Sequence, residues 1–163
     1  MKAAILLVDP KYPHNVGAVI RSCSCYGVED LLYSGKRMDE EVDVMGRLPR
    51  EERMRGYKEV KWRKELKPFD VMKGFTPVAI EVLPSSVSLH SFVHPENALY
   101  VFGPEDGSLH GVTLRHCHHF VSIPTRHCLN LATAVSTVLY DRQHKMNPDA
   151  QLTVGDTEER IYV

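Results

Sequence analysis

The feature that most constrains the fold is a regular alternation of short apolar runs with helical or polar segments. The first run, Lys2–Val8, is apolar almost throughout and ends at Asp9-Pro10. Such a run is typical of a strand that is buried on both faces of a sheet. The next segment, Asn15–Gly27, carries apolar residues at helical spacing, namely Val16, Val19, Ile20 and Cys23. Asn15 is the predicted N-cap of this helix, and Gly27 is predicted to end it.

The same reading extends along the chain. The further predicted strands are Asp30–Tyr33, Val60–Trp62, Pro77–Leu83, Ala98–Phe102 and Phe120–Ile123. The further predicted helices are Asp39 to about Arg55, interrupted at Pro49, then Pro68–Lys73 and Asn130–His144. This order predicts an α/β fold, in which a mostly parallel sheet carries helices on both faces. We expect one domain over residues 1–146, followed by a C-terminal tail at 147–163 that either is flexible or packs on a partner.

Composition and motifs exclude several classes of protein. No apolar run approaches the roughly 18 residues of a membrane span, and the N-terminus MKAAILLVDP reads as a strand rather than a signal peptide. The four cysteines lack C-x-x-C spacing, so we expect a reduced, cytoplasmic protein with buried thiols. G-x-G-x-x-G after the first strand, a P-loop and G-x-S-x-G are all missing. His116, His118 and His119 flank Cys117, but their spacing matches no common zinc site, so no metal is expected.

Charge is distributed unevenly, although the formal net charge is only -1. Between Arg47 and Lys67, nine basic residues stand against four acidic ones. This stretch is either a solvated helix face with internal ion pairs or a surface that contacts phosphates. On the second interpretation, Arg50, Arg53 and Arg55 are candidate RNA-binding residues.

Three distant segments each follow the end of a predicted strand. They read NVGAVIRSCSCYG from Asn15, LYVFGPEDGSL from Leu99 and VSIPTRHCLNLATAVSTVLY from Val121. Ligands of parallel sheets bind at the carboxyl ends of the strands, so the three segments are expected to meet in one site. Taken singly, each also has a purely structural interpretation, as a capped helix with a surface arginine, a Gly/Pro turn, and a second capped helix.

In order and spacing, the three segments resemble the motifs of the SpoU (TrmH-like) RNA ribose methyltransferases of the SPOUT superfamily, in particular the compact TrmL-like members. The first matches N-x-G-x-x-x-R. The second resembles G-x-E-x-x-G-L, with its second glycine one position earlier, at Gly107, and the third resembles I-P followed by S-L-N-x-x-x-A. The third motif departs from the family, because the loop between Pro124 and Leu129 is short and Cys128 replaces the usual serine.

The resemblance implies a deep C-terminal trefoil knot, a homodimer, and S-adenosylmethionine-dependent methylation of a ribose 2′-hydroxyl in structured RNA, with tRNA favoured over rRNA. It assigns catalytic or substrate-positioning roles to Asn15, Arg21, Glu105 and Asn130. The cofactor-binding positions that it implies are Leu83, Gly103, Ile123, Cys128 and Leu129. Arg21 and Arg126 are placed on the RNA side of the site. Because a guanidinium stays protonated, Arg21 is expected to hold a phosphate or stabilise the developing alkoxide rather than act as a base.

The altered third motif leaves a second function class open. A protein that kept the knot but lost the reaction would be a non-catalytic RNA-binding or cofactor-sensing protein. Transfer of a labelled methyl group to RNA separates the two classes.

Overall fold

The computed structural model describes residues 1–40 and 58–147. Its strands are β1 (Lys2–Val8), β2 (Asp30–Ser34), β3 (Lys61–Lys64), β4 (Thr76–Ile80), β5 (Val87–Ser88), β6 (Asn97–Phe102) and β7 (His119–Ser122). Its helices are α1 (Pro13–Cys25), α2 (Pro68–Val71), α3 (Gly111–Leu114) and α4 (Leu131–Met146), with a 3₁₀ turn at Leu89–Ser91. Residues 37–40 are also helical and lead into the part of the chain that is not described.

In the described part of the chain, the strands form one sheet in the order β3-β2-β1-β6-β4-β7-β5. Every pairing is parallel; Leu6, for example, lies opposite Leu32 on one side and Val101 on the other. The α/β fold with a parallel sheet is therefore confirmed. Because all strands point the same way, the loops after β1, β4, β6 and β7 gather at one edge of the sheet.

Side chains of the central strands alternate between two buried clusters, one on each face of the sheet. Ile5 and Leu7 pack with α1 and α4, whereas Ala4 and Leu6 pack with the smaller helices. This period of two explains why β1 is apolar at nearly every position: both of its faces are covered. Two of the cysteines, Cys23 and Cys117, are buried as expected, whereas Cys25 and Cys128 are exposed, and all four are free.

The first helix begins earlier than the sequence predicts. Pro13 is its first residue and Tyr12 its N-cap, so the prediction of Asn15 as the N-cap is wrong. Proline suits the first helical position because it has no N–H to satisfy there. The other end agrees with the prediction, since Gly27 has a φ of 67° and follows the last turn.

Other boundaries differ by a few residues. The fourth strand stops at Ile80 rather than Leu83, and Val82 beyond it is 75% exposed. The sequence did not predict β5, the 3₁₀ turn or α3, each of which is at most four residues long. Most of the predicted Asp39–Arg55 helix, the candidates Arg50, Arg53 and Arg55, and the tail beyond residue 147 lie outside the described residues.

No helix in the described part of the chain is both long and apolar enough to cross a membrane.

Candidate active site

The three motif segments meet around a cleft at the carboxyl edge of the sheet. Its volume is about 460 Å³, within the range of small-molecule sites. The lining includes six of the predicted site residues, Asn15, Gly103, Glu105, Cys128, Leu129 and Asn130. It also includes apolar side chains, among them Ile80, Phe102 and Leu131. An apolar cleft with a few convergent polar groups is the usual form of a ligand site.

Asn15 joins the three motifs. Its Nδ2 donates to Oε1 of Glu105 at 2.8 Å, and its Oδ1 accepts from Nδ2 of Asn130 at 2.9 Å. Only 4% of Asn15 is exposed. An amide suits this position because it offers a donor to a carboxylate on one side and an acceptor to a second amide on the other.

Glu105 holds the start of α1. Its Oε2 accepts the backbone N–H of Lys11 at 2.8 Å, and its Oε1 accepts that of Tyr12 at 3.3 Å as well as the Asn15 amide. A carboxylate at this end also complements the positive end of the helix dipole. The second motif thus fixes the geometry of the first.

Asn130 is the N-cap of α4, as the sequence predicts. Its Oδ1 accepts the backbone N–H of Ala132 at 2.9 Å and that of Thr133 at 3.4 Å. Because its Nδ2 also donates to Oδ1 of Asn15, the Asn130 side chain both caps α4 and links it to α1. The neighbouring hydroxyls of Ser22 and Ser136 lie 2.7 Å apart and add a second polar contact between these helices.

Glu81 is a site residue that the sequence analysis missed. It follows β4 directly, lines the cleft, and its Oε2 accepts the backbone N–H of Leu109 at 2.8 Å. This bond fixes the far end of the second-motif loop. Glu81 carries the same sequence signal as the motif residues, a polar residue immediately after a buried strand. The signal was missed because the strand was predicted to continue to Leu83.

Gly103 stands where the backbone must pass close to the same loop. A Cβ added there would approach the backbone nitrogen of Leu109 to 3.3 Å. That is tighter than most real contacts, so a larger residue would push the loop or the cleft wall outwards. Gly103 therefore lets the second-motif loop pack closely against the end of β6.

The remaining predicted cofactor positions are less central. Leu83 lies in the loop after β4, where its N–H donates to Oγ of Ser86 at 3.1 Å. Ile123 follows β7 and is half-buried. Neither is among the residues that line the cleft.

The two predicted RNA-side arginines are both exposed. Arg21 lies on α1, away from the apolar face, and Arg126 lies in the loop after β7. Neither lines the cleft. Arg21 makes no hydrogen bond or ion pair with any other described residue, so its guanidinium is available to a partner.

A chain of ion pairs supports the cleft from outside. Nη1 of Arg37 lies 2.8 Å from Oδ1 of Asp106, whose Oδ2 lies 3.1 Å from Nζ of Lys11. The hydrogen bonds from Arg37 and Lys11 lower the pKa of Asp106 to about 2. Nε of Arg37 also lies 2.9 Å from Oδ2 of Asp9. Three loops at the sheet edge are therefore tied together by charge.

No cluster of three or more metal-ligating side chains is found among the residues that the structure describes. His116, which was weighed above as a possible zinc ligand together with Cys117, stacks on Phe69, with ring centroids 4.5 Å apart.

The parallel sheet and the cleft at its carboxyl edge define a class, an α/β protein with a ligand site built from three loops. The family follows from the sequence: residues 2–140 match the model of the SpoU rRNA Methylase family. The chain belongs to this family. Among curated proteins, none matched the sequence closely enough to count as a relative.

Solved structures share the fold at low sequence identity. The A. aeolicus TrmH/SpoU tRNA modifying enzyme has a TM-score of 0.75 and 19% identity, covering 89% of this chain and 77% of that one. The Streptomyces viridochromogenes SpoU methyltransferase AviRb, solved with AdoMet, has a TM-score of 0.67 and 20% identity, covering 88% of this chain and 60% of that one. A structure concerned with 2-OH methylation of C/U34 on tRNA has a TM-score of 0.70 and 20% identity, covering 90% and 97%.

The chain thus spans about three fifths of the length of some larger enzymes that it resembles, 56% in the case of a Sinorhizobium meliloti rRNA methyltransferase. Family membership extends over residues 2–140 of this chain.

Proposed function

We propose that the protein transfers a methyl group from S-adenosylmethionine to a ribose 2′-hydroxyl of structured RNA, with tRNA favoured over rRNA. The observation that carries the proposal is the Asn15 bridge, since one side chain joins Glu105 of the second motif to Asn130 of the third beside a cleft of about 460 Å³. The preference for tRNA rests on the likeness to the structure concerned with C/U34 of tRNA.

The residues of the cleft fit the cofactor. Gly103 lines the cleft, and the exposed Leu129 and Cys128 border the same space. We assign Gly103, Cys128 and Leu129 to the cofactor, with Leu83 and Ile123 at the edge of its site. When bound, S-adenosylmethionine supplies a methyl group that is already activated by the adjoining sulfonium.

The protein then has to position the ribose and manage one proton. Arg21 is exposed and free of other described partners, so it can hold the phosphate next to the target ribose or stabilise charge on the 2′-oxygen. Asn15, Glu105 and Asn130 keep α1, which carries Arg21, in register with the cleft. Arg126 lies in the loop beside Cys128 and extends the positive surface toward RNA.

The proposed C-terminal knot is supported by the way α4 is held. Its first turn is bonded to α1 through Asn130 and Asn15, while Arg142 near its other end donates to the carbonyl oxygens of Pro95 and Glu96, each at 2.6 Å. The segment before β6 is therefore bonded to α4, the helix that follows β7. An experimental structure in which α4 does not pass through the loop formed by residues 81–97 would contradict the knot.

We also propose a homodimer in which two copies of the chain complete the RNA surface, as the resemblance to the family implies. Light scattering at micromolar concentration should give twice the mass of the chain, and a monomer would contradict this part of the proposal.

The test of function is incubation with labelled S-adenosylmethionine and either total tRNA or rRNA, followed by mapping of the 2′-O-methyl position. Label in tRNA at a single ribose is the expected result. Binding of the cofactor without transfer to any RNA would instead indicate the non-catalytic, cofactor-sensing class.

The basic stretch is tested by charge reversal at Arg50, Arg53 and Arg55. If these side chains contact phosphates, RNA binding should weaken and the dependence of log Kd on log salt should flatten by roughly one unit for each lost contact. Unchanged affinity at every salt concentration would assign the stretch to a solvated face.

A further inference from the structure

An exposed pair of rings stands at the mouth of the cleft and has no part in the hydrogen bonds described above. Tyr12 is 41% exposed and lines the cleft together with His14. The two rings are stacked, with centroids 5.4 Å apart and planes 27° from parallel. An exposed aromatic ring that lines a cleft offers a flat apolar surface on which a planar ligand group can stack.

The Tyr12 ring is held in position before any ligand arrives. Its backbone N–H donates to Glu105, and Pro13, which follows, fixes the start of α1. His14 braces one side of the ring, and Nζ of Lys11 lies 5.2 Å from its centroid. A ring that is already ordered loses little entropy on binding.

The position of Tyr12 favours the RNA side of the cleft over the cofactor side. The proposed cofactor residues follow β4, β6 and β7, whereas Tyr12 follows β1 and is the N-cap of the helix that carries Arg21. Tyr12 and Arg21 begin and continue one helix, nine positions or about 13 Å apart along its axis. Tyr12 therefore lies at the start of the helix that carries Arg21, the residue proposed to meet the RNA backbone.

We propose that Tyr12, braced by His14, is a stacking platform for a nucleobase of the RNA next to the methylated ribose. The proposal rests on the proposed function for the identity of the ligand. Base stacking on an exposed aromatic ring is the usual way in which proteins hold an unpaired base, and it requires no particular base identity. The platform would keep the target nucleotide out of its stack while Arg21 holds the backbone.

The test measures the binding of fluorescein-labelled total tRNA by anisotropy, with the full chain, over a range of salt concentrations. Tyr12→Ala should weaken binding roughly 5- to 150-fold, the range expected for one lost stack. The salt dependence should keep its slope, because a tyrosine neutralises no phosphate. Tyr12→Phe should bind as wild type does, since it retains the ring.

The controls separate stacking from a folding defect. Tyr12 makes no side-chain cap bond to α1, so its replacement leaves the backbone bonds of the helix start intact. S-adenosylmethionine affinity and the melting temperature should therefore stay at the wild-type values. His116→Ala is a matched control, because His116 is also exposed and stacked on an aromatic ring but does not line this cleft.

Several results would overturn the platform: Tyr12→Ala binding RNA as tightly as wild type, a loss of cofactor affinity in place of RNA affinity, or a changed salt slope. Failure of the wild-type protein to bind tRNA would do so as well. If the wild type binds RNA, Tyr12→Ala weakens it as stated, and no RNA is methylated, the platform stands and the proposed function fails.

Discussion

The Asn15 bridge gives the sharpest prediction for the site. Asn15→Ala removes a hydrogen bond to the Glu105 carboxylate and one to the Asn130 amide. A bond to a charged group contributes roughly 1.5–3 kcal/mol and a neutral one about 1 kcal/mol. Asn130 is exposed and can turn to water, and Glu105 keeps two backbone donors, which offsets part of the loss. We expect a net loss of roughly 2–3 kcal/mol in the free energy of unfolding.

For a domain of this size, that loss lowers the melting temperature by about 5–10 °C. Urea unfolding should show a lower midpoint with an unchanged m-value, because the surface exposed on unfolding is the same. The matched control is Asn97→Ala. Asn97 is exposed, and its side-chain oxygen accepts one hydrogen bond, from the backbone N–H of Lys2 at 3.0 Å, with no charged partner among the described residues. That variant should lose about 0.5–1.5 kcal/mol.

Asn15→Asp tests the same bridge by charge. Its carboxylate would lie against that of Glu105 in a position that is 4% exposed, so the pair would share a proton and its pKa would rise. The folded protein would then bind more protons than the unfolded chain, and its stability would fall as pH rises from about 5 to 8. The reasoning is refuted if Asn15→Ala unfolds at the same midpoint as Asn97→Ala, or if the Asp variant shows no added dependence on pH.

Three further predictions concern single residues. Arg21→Ala should lower methyl transfer at least about 100-fold, the scale of a lost transition-state donor, while calorimetry shows unchanged cofactor affinity; full turnover would remove Arg21 from the reaction. Gly35→Ala should destabilise the fold by about 2 kcal/mol or more, because φ is +91° and the new Cβ would lie 2.1 Å from Oδ1 of Asp9. Gly74→Ala, with nothing within 4 Å, is the control and should unfold near the wild-type midpoint. Burial lowers the pKa of His94, so the unfolded chain binds more protons below about pH 6.5; stability should fall from pH 7 to 5 in urea titrations, and less so in His94→Gln.

The sheet could be predicted from sequence because its signal is local. Residues in Lys2–Val8 and Asn97–Phe102 are buried on both faces, so nearly every position is apolar and the run stands out from its neighbours. The short strand β5 gives no such signal. Its two residues are in a strand because Val87 and Ser88 pair with Val121 and Ser122 of β7, a contact that distant chain segments supply.

Sequence reasoning predicted that the three motifs meet at one cleft, but it did not predict how their side chains are bonded. The spacing of the motifs brought Asn15, Glu105 and Asn130 together as candidates, yet the N-cap role was assigned correctly only to Asn130. Helix caps are local, whereas the partners of Asn15 lie 90 and 115 positions away in the sequence. Only the fold shows that the asparagine is used to join motifs rather than to start its own helix.

The hydrogen bonds of Glu105 and Asn15 limit what these two side chains can do in the reaction. Glu105 already accepts three N–H donors, and a carboxylate has about four acceptor sites, so at most one remains for a substrate. Both polar atoms of the Asn15 amide are used as well. The polar residues of the motifs therefore serve chiefly to hold α1 and the loops in place. Among the described residues, the exposed groups that the proposed function assigns to RNA are Arg21, Arg126 and the Tyr12 ring. A methyl donor that is already activated needs little more from the protein than this positioning, which is why a rigid hydrogen-bonded frame with few free catalytic groups suits the proposed reaction.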